Sequence, residues 1–387
     1  MNARPLPTLL LGLVAALGAC GDSTTGTTPG ADAATARRAR GDDYCTSAPS
    51  VTCPARAIAT CGVCVTPPGR IEPMERTNCD DTRRREYCQA AAQVRRPNWS
   101  CYAAGNRPMA GASERVTLWG PVKVFGNGGD SQRIRVTVYR VGADGMPGEM
   151  LGTAVSDLMH PAASTEDVYS PSGDQVTFTR RLGGYAITNI PTETELLVVT
   201  EGDSADPIAT GNFSHRVYDY NVLLRNADIN AEMAPMGVAG ERRVRFAPRV
   251  ISNADWSSIP STSGLTAGIT PGRGAVAGEV HDCDDVRIAN ASVASNPSRA
   301  WDGPVVYFSE NDTNPLPDIS RESRGTSILG TYALLDMEPG PVAVAAVGYD
   351  DDRQTLVHAG SYRARVFPGA ITIVTFRGLR PWQVSPR

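Results

Sequence analysis

The chain has 387 residues, 20% of them charged, with a formal net charge of -4; no broad basic field exists to hold nucleic acid by its phosphates, so nucleic acid is not expected as a partner. The length suffices for two or three domains that each bury a core. Its 38 glycines and 29 prolines, with few long helical periodicities, favour short strands joined by turns and hence a mainly β fold.

At the N-terminus one arginine, Arg4, precedes an apolar run from Leu9 to Leu17 that continues as Gly18-Ala19-Cys20. The run is too short to span a bilayer, and small residues before a cysteine mark a cleavage point. This reads as a lipobox: residues 1–19 form a lipoprotein signal peptide, and Cys20 carries the acyl chains that hold the mature protein to membrane lipid. An ordinary secretory signal with an incidental cysteine is the alternative, and either one exports the chain. Gly21, where an aspartate would retain a lipoprotein at the inner membrane, resembles the outer-membrane sorting signal, so the expected location is the bacterial cell envelope. Only one lysine, Lys123, occurs among 37 basic residues, a compositional bias to which no role is assigned.

Gly21 to Asp43 is mostly Ser, Thr, Gly, Ala and Asp with almost nothing large and apolar, so residues 20–44 are expected to be a disordered tether with a reach of roughly 25–30 Å. A Cys-rich module over 45–113 follows, holding Cys45, Cys53, Cys61, Cys64, Cys79, Cys88 and Cys101. Outside the cytoplasm such density means disulfides, each contributing roughly 2–4 kcal/mol where a core is lacking. Cys61-Gly62-Val63-Cys64 also permits a zinc knuckle or a redox pair, but no second CxxC and no βαβ pattern accompanies it. A helix is expected over 80–94, with Asp80 as N-cap and Ala90 to Ala92 inside. Seven is odd, and the remaining mature cysteine is Cys283; it either staples the module to the last domain or sits unpaired in a core.

The first β-sandwich is expected over 114–228. Ile134, Val136 and Val138 alternate with Arg133, Arg135 and Thr137, giving one buried face, and Asn127-Gly128-Gly129-Asp130 signals a hairpin. Leu196-Leu197-Val198-Val199 is a continuous apolar strand, and Tyr218, Tyr220, Val222 and Leu224 alternate again. A junction segment, 229–272, carries Met233, Met236, Trp256 and Ile259, too apolar for a pure linker and expected to pack between domains. The second β-sandwich, 273–387, runs through strands at Val276–His281, Val305–Phe308, Val342–Val347 and Ala370–Phe376. Gly184-Tyr185-Ala186-Ile187-Thr188-Asn189-Ile190 echoes Thr331-Tyr332-Ala333-Leu334-Leu335-Asp336-Met337, which suggests one architecture used twice.

Gly278-Glu279-Val280-His281-Asp282, Asn290-Ala291-Ser292-Val293-Ala294, and Gly330-Thr331-Tyr332-Ala333-Leu334 leading to Met337-Glu338-Pro339-Gly340 resemble the carboxypeptidase regulatory-like, transthyretin-like domain. The resemblance covers the last hundred or so residues well and Arg115–Arg225 more weakly, and the whole layout is similar to predicted myxobacterial surface lipoproteins. It implies two transthyretin-like or Ig-like sandwiches and no catalysis, since such domains accompany metallocarboxypeptidases as accessory modules. The family's Gly-x-Pro turn after the opening strand is replaced by Cys283-Asp284-Asp285-Val286-Arg287, a loop altered to hold a disulfide or a ligand.

No enzyme is expected. The four histidines, His160, His215, His281 and His358, lie in neither HExxH nor HxxE spacing, and no Gly-x-Ser-x-Gly, Ser-x-x-Lys or phosphate-cradling loop occurs. No catalytic residue, cofactor or metal site is assigned; Asp282, Asp284, Asp285 and Asp350, Asp351, Asp352 are calcium candidates set against the plainer reading of solvated loop acids. Trp119, Trp256, Trp301 and Trp382 would need to form a flat platform for glycan binding. The expected function is a non-catalytic, lipid-anchored envelope protein that binds or scaffolds an unknown protein or glycan partner. A carbohydrate-binding surface lipoprotein is the second reading, and a hydrolase accessory protein the third.

Overall fold

The computed structural model describes residues 37–40, 51–71, 97–102, 108–125, 128–160, 168–169, 175–176, 181–230, 242–297, 303–311, 315–350 and 355–383. The export signal, Cys20, Cys45, Cys79, Cys88, Trp301, Asp351, Asp352 and the helix expected over 80–94 lie outside the described residues.

The N-terminal part contributes β1 (Arg37–Arg40), β2 (Ile58–Thr60) and β3 (Val63–Val65). The first sandwich follows with β4 (Arg115–Pro121), β5 (Lys123–Val124), β6 (Asp130–Ser131), β7 (Ile134–Val141), β8 (Pro147–Val155), β9 (Leu158–His160), β10 (Val168–Tyr169), β11 (Gln175–Val176), β12 (Arg181–Pro191), β13 (Leu196–Gly202), α1 (Pro207–Asn212) and β14 (Val217–Val222). From the junction come β15 (Arg243–Arg245), β16 (Arg249–Val250) and α2 (Asn253–Thr262). The second sandwich contains β17 (Gly274–His281), β18 (Ser292–Asn296), β19 (Val305–Tyr307), β20 (Thr331–Met337), β21 (Gly340–Asp350), β22 (Thr355–Val366), β23 (Ile371–Val374) and β24 (Phe376–Arg377).

The fold is mainly β, and its two sandwiches share a sheet. Strand β14 pairs in parallel with β23, Val217 opposite Ile371 through Tyr220 opposite Val374. This joins the row β8-β7-β13-β14 to the row β23-β17-β20-β19 as one nine-stranded sheet that also includes β24. On one face, over its first half, lies the sheet β15-β4-β12-β9, enclosing Leu118, Ile134, Val136, Leu196 and Val198. On the opposite face lies the sheet β1-β22-β21-β18, enclosing Leu197, Val199, Tyr220, Val276, Tyr332 and Val344.

That stagger explains the two continuous apolar runs. Side chains of a strand alternate between faces, so Leu196 and Val198 enter one core while Leu197 and Val199 enter the other. The second run behaves alike: Val342, Val344 and Ala346 face the shared sheet, whereas Ala343, Ala345 and Val347 pack with Val63, Val65 and Ile71 of the N-terminal part. The β2–β3 hairpin therefore covers the outer face of β21, and the Cys-rich segment takes its core from the second sandwich rather than from bridges alone. Strand β1 lies within the stretch 20–44 expected to be a disordered tether, and unlike that expectation it pairs in parallel with β22.

The tyrosine echo is a repeat in three dimensions. Tyr185 on β12 stands opposite Gly120 on β4, and Tyr332 on β20 stands opposite Gly278 on β17. Each hydroxyl donates to a main-chain carbonyl of a third segment, Tyr185 to Phe246 at 3.0 Å and Tyr332 to Val374 at 2.5 Å. A Cβ on Gly120 or Gly278 would meet that same carbonyl oxygen at 2.1 Å, so glycine is required in both copies. The echo's Asn189 and Asp336 both adopt positive φ, 64° and 52°, and each strand carries a register shift close by. In the first copy the third segment is the stretch after β15, which runs parallel to β4 as β23 runs parallel to β17. The first sandwich thus extends past residue 228 to include β15 and β16, and the junction proper is confined to 251–273, between β16 and β17.

Met233 and Met236 of the expected junction lie outside the described residues, and the described part from 251 on packs against the sheet. Ser252 caps α2, its Oγ accepting the Asp255 N–H at 3.1 Å and donating to the Asp255 carboxylate at 2.7 Å, a reciprocal arrangement of the capping-box kind. The helix and its flanks bring Ile251, Trp256, Ile259, Leu265 and Ile269 onto Val217, Ala275, Ile371 and Ile373 of the shared sheet.

Candidate functional site

The altered loop after β17 holds a disulfide. Cys283 bridges Cys101 across a sequence separation of 182 residues, tying the N-terminal segment to the second sandwich. Cys53 bridges Cys64, and Cys61 is itself disulfide-bonded; the CxxC cysteines are thus locked in separate bridges, unlike a redox pair or a zinc knuckle.

The calcium candidates of that loop are spent on structure. Asp282 is 1% exposed; its Oδ1 accepts the N–H groups of Asp284 and Val286, both at 3.0 Å, and its Oδ2 accepts that of Asn98 at 2.8 Å. Asp284 accepts from the Asn98 side chain at 2.8 Å. Asp285 faces His281 Nδ1 at 2.9 Å and Arg377 at 3.5 Å. Asp350 ends β21, away from this loop in the sequence. Among the described residues no group of three His, Cys, Asp or Glu side chains is placed to hold a metal ion.

Around the loop runs a charged network that crosses the seam between sandwiches. Glu279 on β17 meets His281 Nε2 at 2.9 Å, Arg287 at 2.7 Å and Arg249 of β16 at 3.8 Å. Burial alone would raise the Glu279 carboxyl, but Arg287, His281 and Arg249 outweigh it and hold the group well below the usual carboxylate range. Burial opposes ionisation of Asp285 too, yet His281, Arg377 and Arg380 bring it down to about 2. Asp219 on β14 behaves in the opposite sense: burial, with the charge of Glu279, overrides Arg377 and Arg249 and pushes it up to about 7.

The sign of the resulting pH dependence is set by linkage. Asp219 binds its proton more tightly when folded, so its contribution is complete below about pH 4 and falls away as the pH rises through 7. Glu279 and Asp285 contribute above about pH 4 and lose that contribution as the pH drops toward 2. Asp219→Asn is expected to be more stable than the parent at pH 8 by on the order of 1–2 kcal/mol and little different at pH 4. Urea midpoints across that range measure it, and equal slopes in parent and variant would contradict the assignment.

His215, His358, Trp119, Trp256 and Trp382 are the remaining candidate histidines and tryptophans whose side chains are described, and they do not converge on one site. His358 is buried, its Nδ1 hydrogen-bonded to Thr60 at 2.9 Å, and His215 stacks on Trp256 with ring centroids 4.0 Å apart. Trp119 is 4% exposed, and Trp382 donates to Asn221 at 2.9 Å. These three indoles form no exposed platform.

Sequence reasoning missed Arg380, which follows β24. It is 5% exposed, and its Nε is buried with no hydrogen-bond partner among the described residues. Burial, with repulsion from Arg225 and Arg377, lowers its guanidinium to about 9 against the attraction of Asp285.

No protein-family profile matches the chain, and no curated protein sequence matches it. Among solved structures, a double mutant of the shaft pilin SpaA from Lactobacillus rhamnosus GG is similar at 9% identity, covering 69% of this chain and 99% of that one, with a TM-score of 0.15. A streptococcal ancillary pilin is similar at 8% identity, covering 67% and 61%, also with a TM-score of 0.15. Superpositions this loose bear on neither fold nor function.

Proposed function

We propose that this is a non-catalytic, lipid-anchored protein of the bacterial cell envelope that acts as a rigid scaffold or binding module for a protein or glycan partner. The observation that carries the reading is the parallel pairing of β14 with β23, which merges the two sandwiches into one sheet. A merged sheet, braced by the Cys101–Cys283 bridge, suits holding a partner at fixed geometry better than closing over a substrate. The placement of the loop acids and histidines inside structural hydrogen bonds favours the same view. Anchoring rests on the lipobox, with Cys20 carrying the acyl chains and the outer membrane as destination.

In the native host the parent protein is expected to fractionate with membranes and to carry a diacylglycerol-modified Cys20 by mass spectrometry, while Cys20→Ser fails to acquire the lipid. Recovery of the parent as an unmodified soluble polypeptide would overturn the anchoring.

A further inference from the structure

We propose that Arg380, Arg377 and Arg225 form a binding site for a phosphate group beside the Cys101–Cys283 bridge. The inference is independent of lipidation at Cys20.

A guanidinium removed from water is costly unless it is paired and hydrogen-bonded. Arg380 is 5% exposed, yet its side chain forms no ion pair and no hydrogen bond among the described residues, and its Nε is buried. Its charged neighbours make matters worse, since Arg225 and Arg377 repel it more than Asp285 attracts it. Asp285 is itself divided between His281 and Arg377. The nearby Asp282 has committed its carboxylate to three backbone N–H groups. Arg377 retains 37% side-chain exposure, and Arg225 is exposed, so two of the three guanidinium groups face solvent.

Charge selects the ligand. Three guanidinium groups outnumber the two nearby carboxylates, Asp285 and Asp282, and an anion with several acceptor oxygens can engage more than one guanidinium at once, which a monocarboxylate does less well. Phosphate carries about -1.5 to -2 at neutral pH, and its oxygens match the guanidinium fork. Free inorganic phosphate and the phosphate of a lipid headgroup share this chemistry.

The test uses the full chain. Inorganic phosphate is expected to raise the melting temperature, and sodium chloride of equal ionic strength is not. Arg380→Met removes an uncompensated charge, so it is expected to fold, to melt no lower than the parent without phosphate, and to lose the phosphate response. Arg225→Ser changes an exposed side chain and is expected to weaken phosphate binding about threefold or more, which keeps the proposal testable if Arg380→Met does not fold. A second arm measures sedimentation with phosphatidylcholine vesicles with and without phosphatidic acid. Binding to phosphatidic acid that depends on Arg380 or Arg225, without a response to inorganic phosphate, identifies a headgroup as the source. The proposal is overturned if neither probe produces a response, or if Arg380→Met responds to phosphate as the parent does. Should Arg380→Met not fold, an unchanged Arg225→Ser overturns it.

Discussion

Replacing Cys101 and Cys283 together by serine is expected to lower the unfolding free energy by roughly 3–5 kcal/mol. The bridge spans 182 residues of sequence, and a loop that long, closed in the unfolded chain, removes more conformational entropy than the short Cys53–Cys64 loop does. Residual structure in the denatured chain takes something off that figure. The native state contributes as well, because Trp99 and Tyr102 on either side of Cys101 are buried in the core of the second sandwich. The double variant is the right probe, since reductant would also open the Cys53–Cys64 bridge. Guanidinium unfolding followed by tryptophan fluorescence measures the change, and a loss below about 1 kcal/mol would mean that packing, not the bridge, holds the segment.

The second large effect is expected at the lone lysine. Lys123 on β5 lies directly across from Asp130 on β6, with Nζ 2.5 Å from Oδ1, and the aspartate side chain is fully buried. Lys123→Met keeps the stem and removes the charge that faces this buried carboxylate; a loss of about 3–5 kcal/mol is expected. Adding Asp130→Asn to that variant should restore part of the loss, because the buried negative charge goes with it. Unfolding midpoints of both single variants and the double variant form the cycle, and purely additive losses would show that the pair is not coupled.

What the sequence discloses here is local. Alternation at Ile134, Val136 and Val138, the glycine turns and the paired Tyr-Ala motifs each report a strand and its neighbours within a few residues, and all are present in the fold. The parity of the cysteines pointed to Cys283 as a staple because counting needs no geometry. In the junction the apolar residues Trp256 and Ile259 were legible as packing residues, but α2 was not, and Pro260 within the stretch argues against a helix. Long-range facts were hidden. A continuous run such as Leu196 to Val199 says that both faces are buried, but not that the second cover comes from another domain. The return of the chain through β15 and β16 to complete the first sandwich leaves no trace in periodicity over two or three residues. Arg380 looks like any other arginine in an arginine-rich chain, since burial without a partner has no sequence signal.

The pairing of β14 with β23 has a mechanical corollary. Both strands point the same way, so a stretching load that drags one sandwich past the other along their axes falls on every rung of that ladder at once instead of opening rungs one after another. Such a joint yields by shearing rather than unzipping, so the merged pair of sandwiches would keep its outline under such a load.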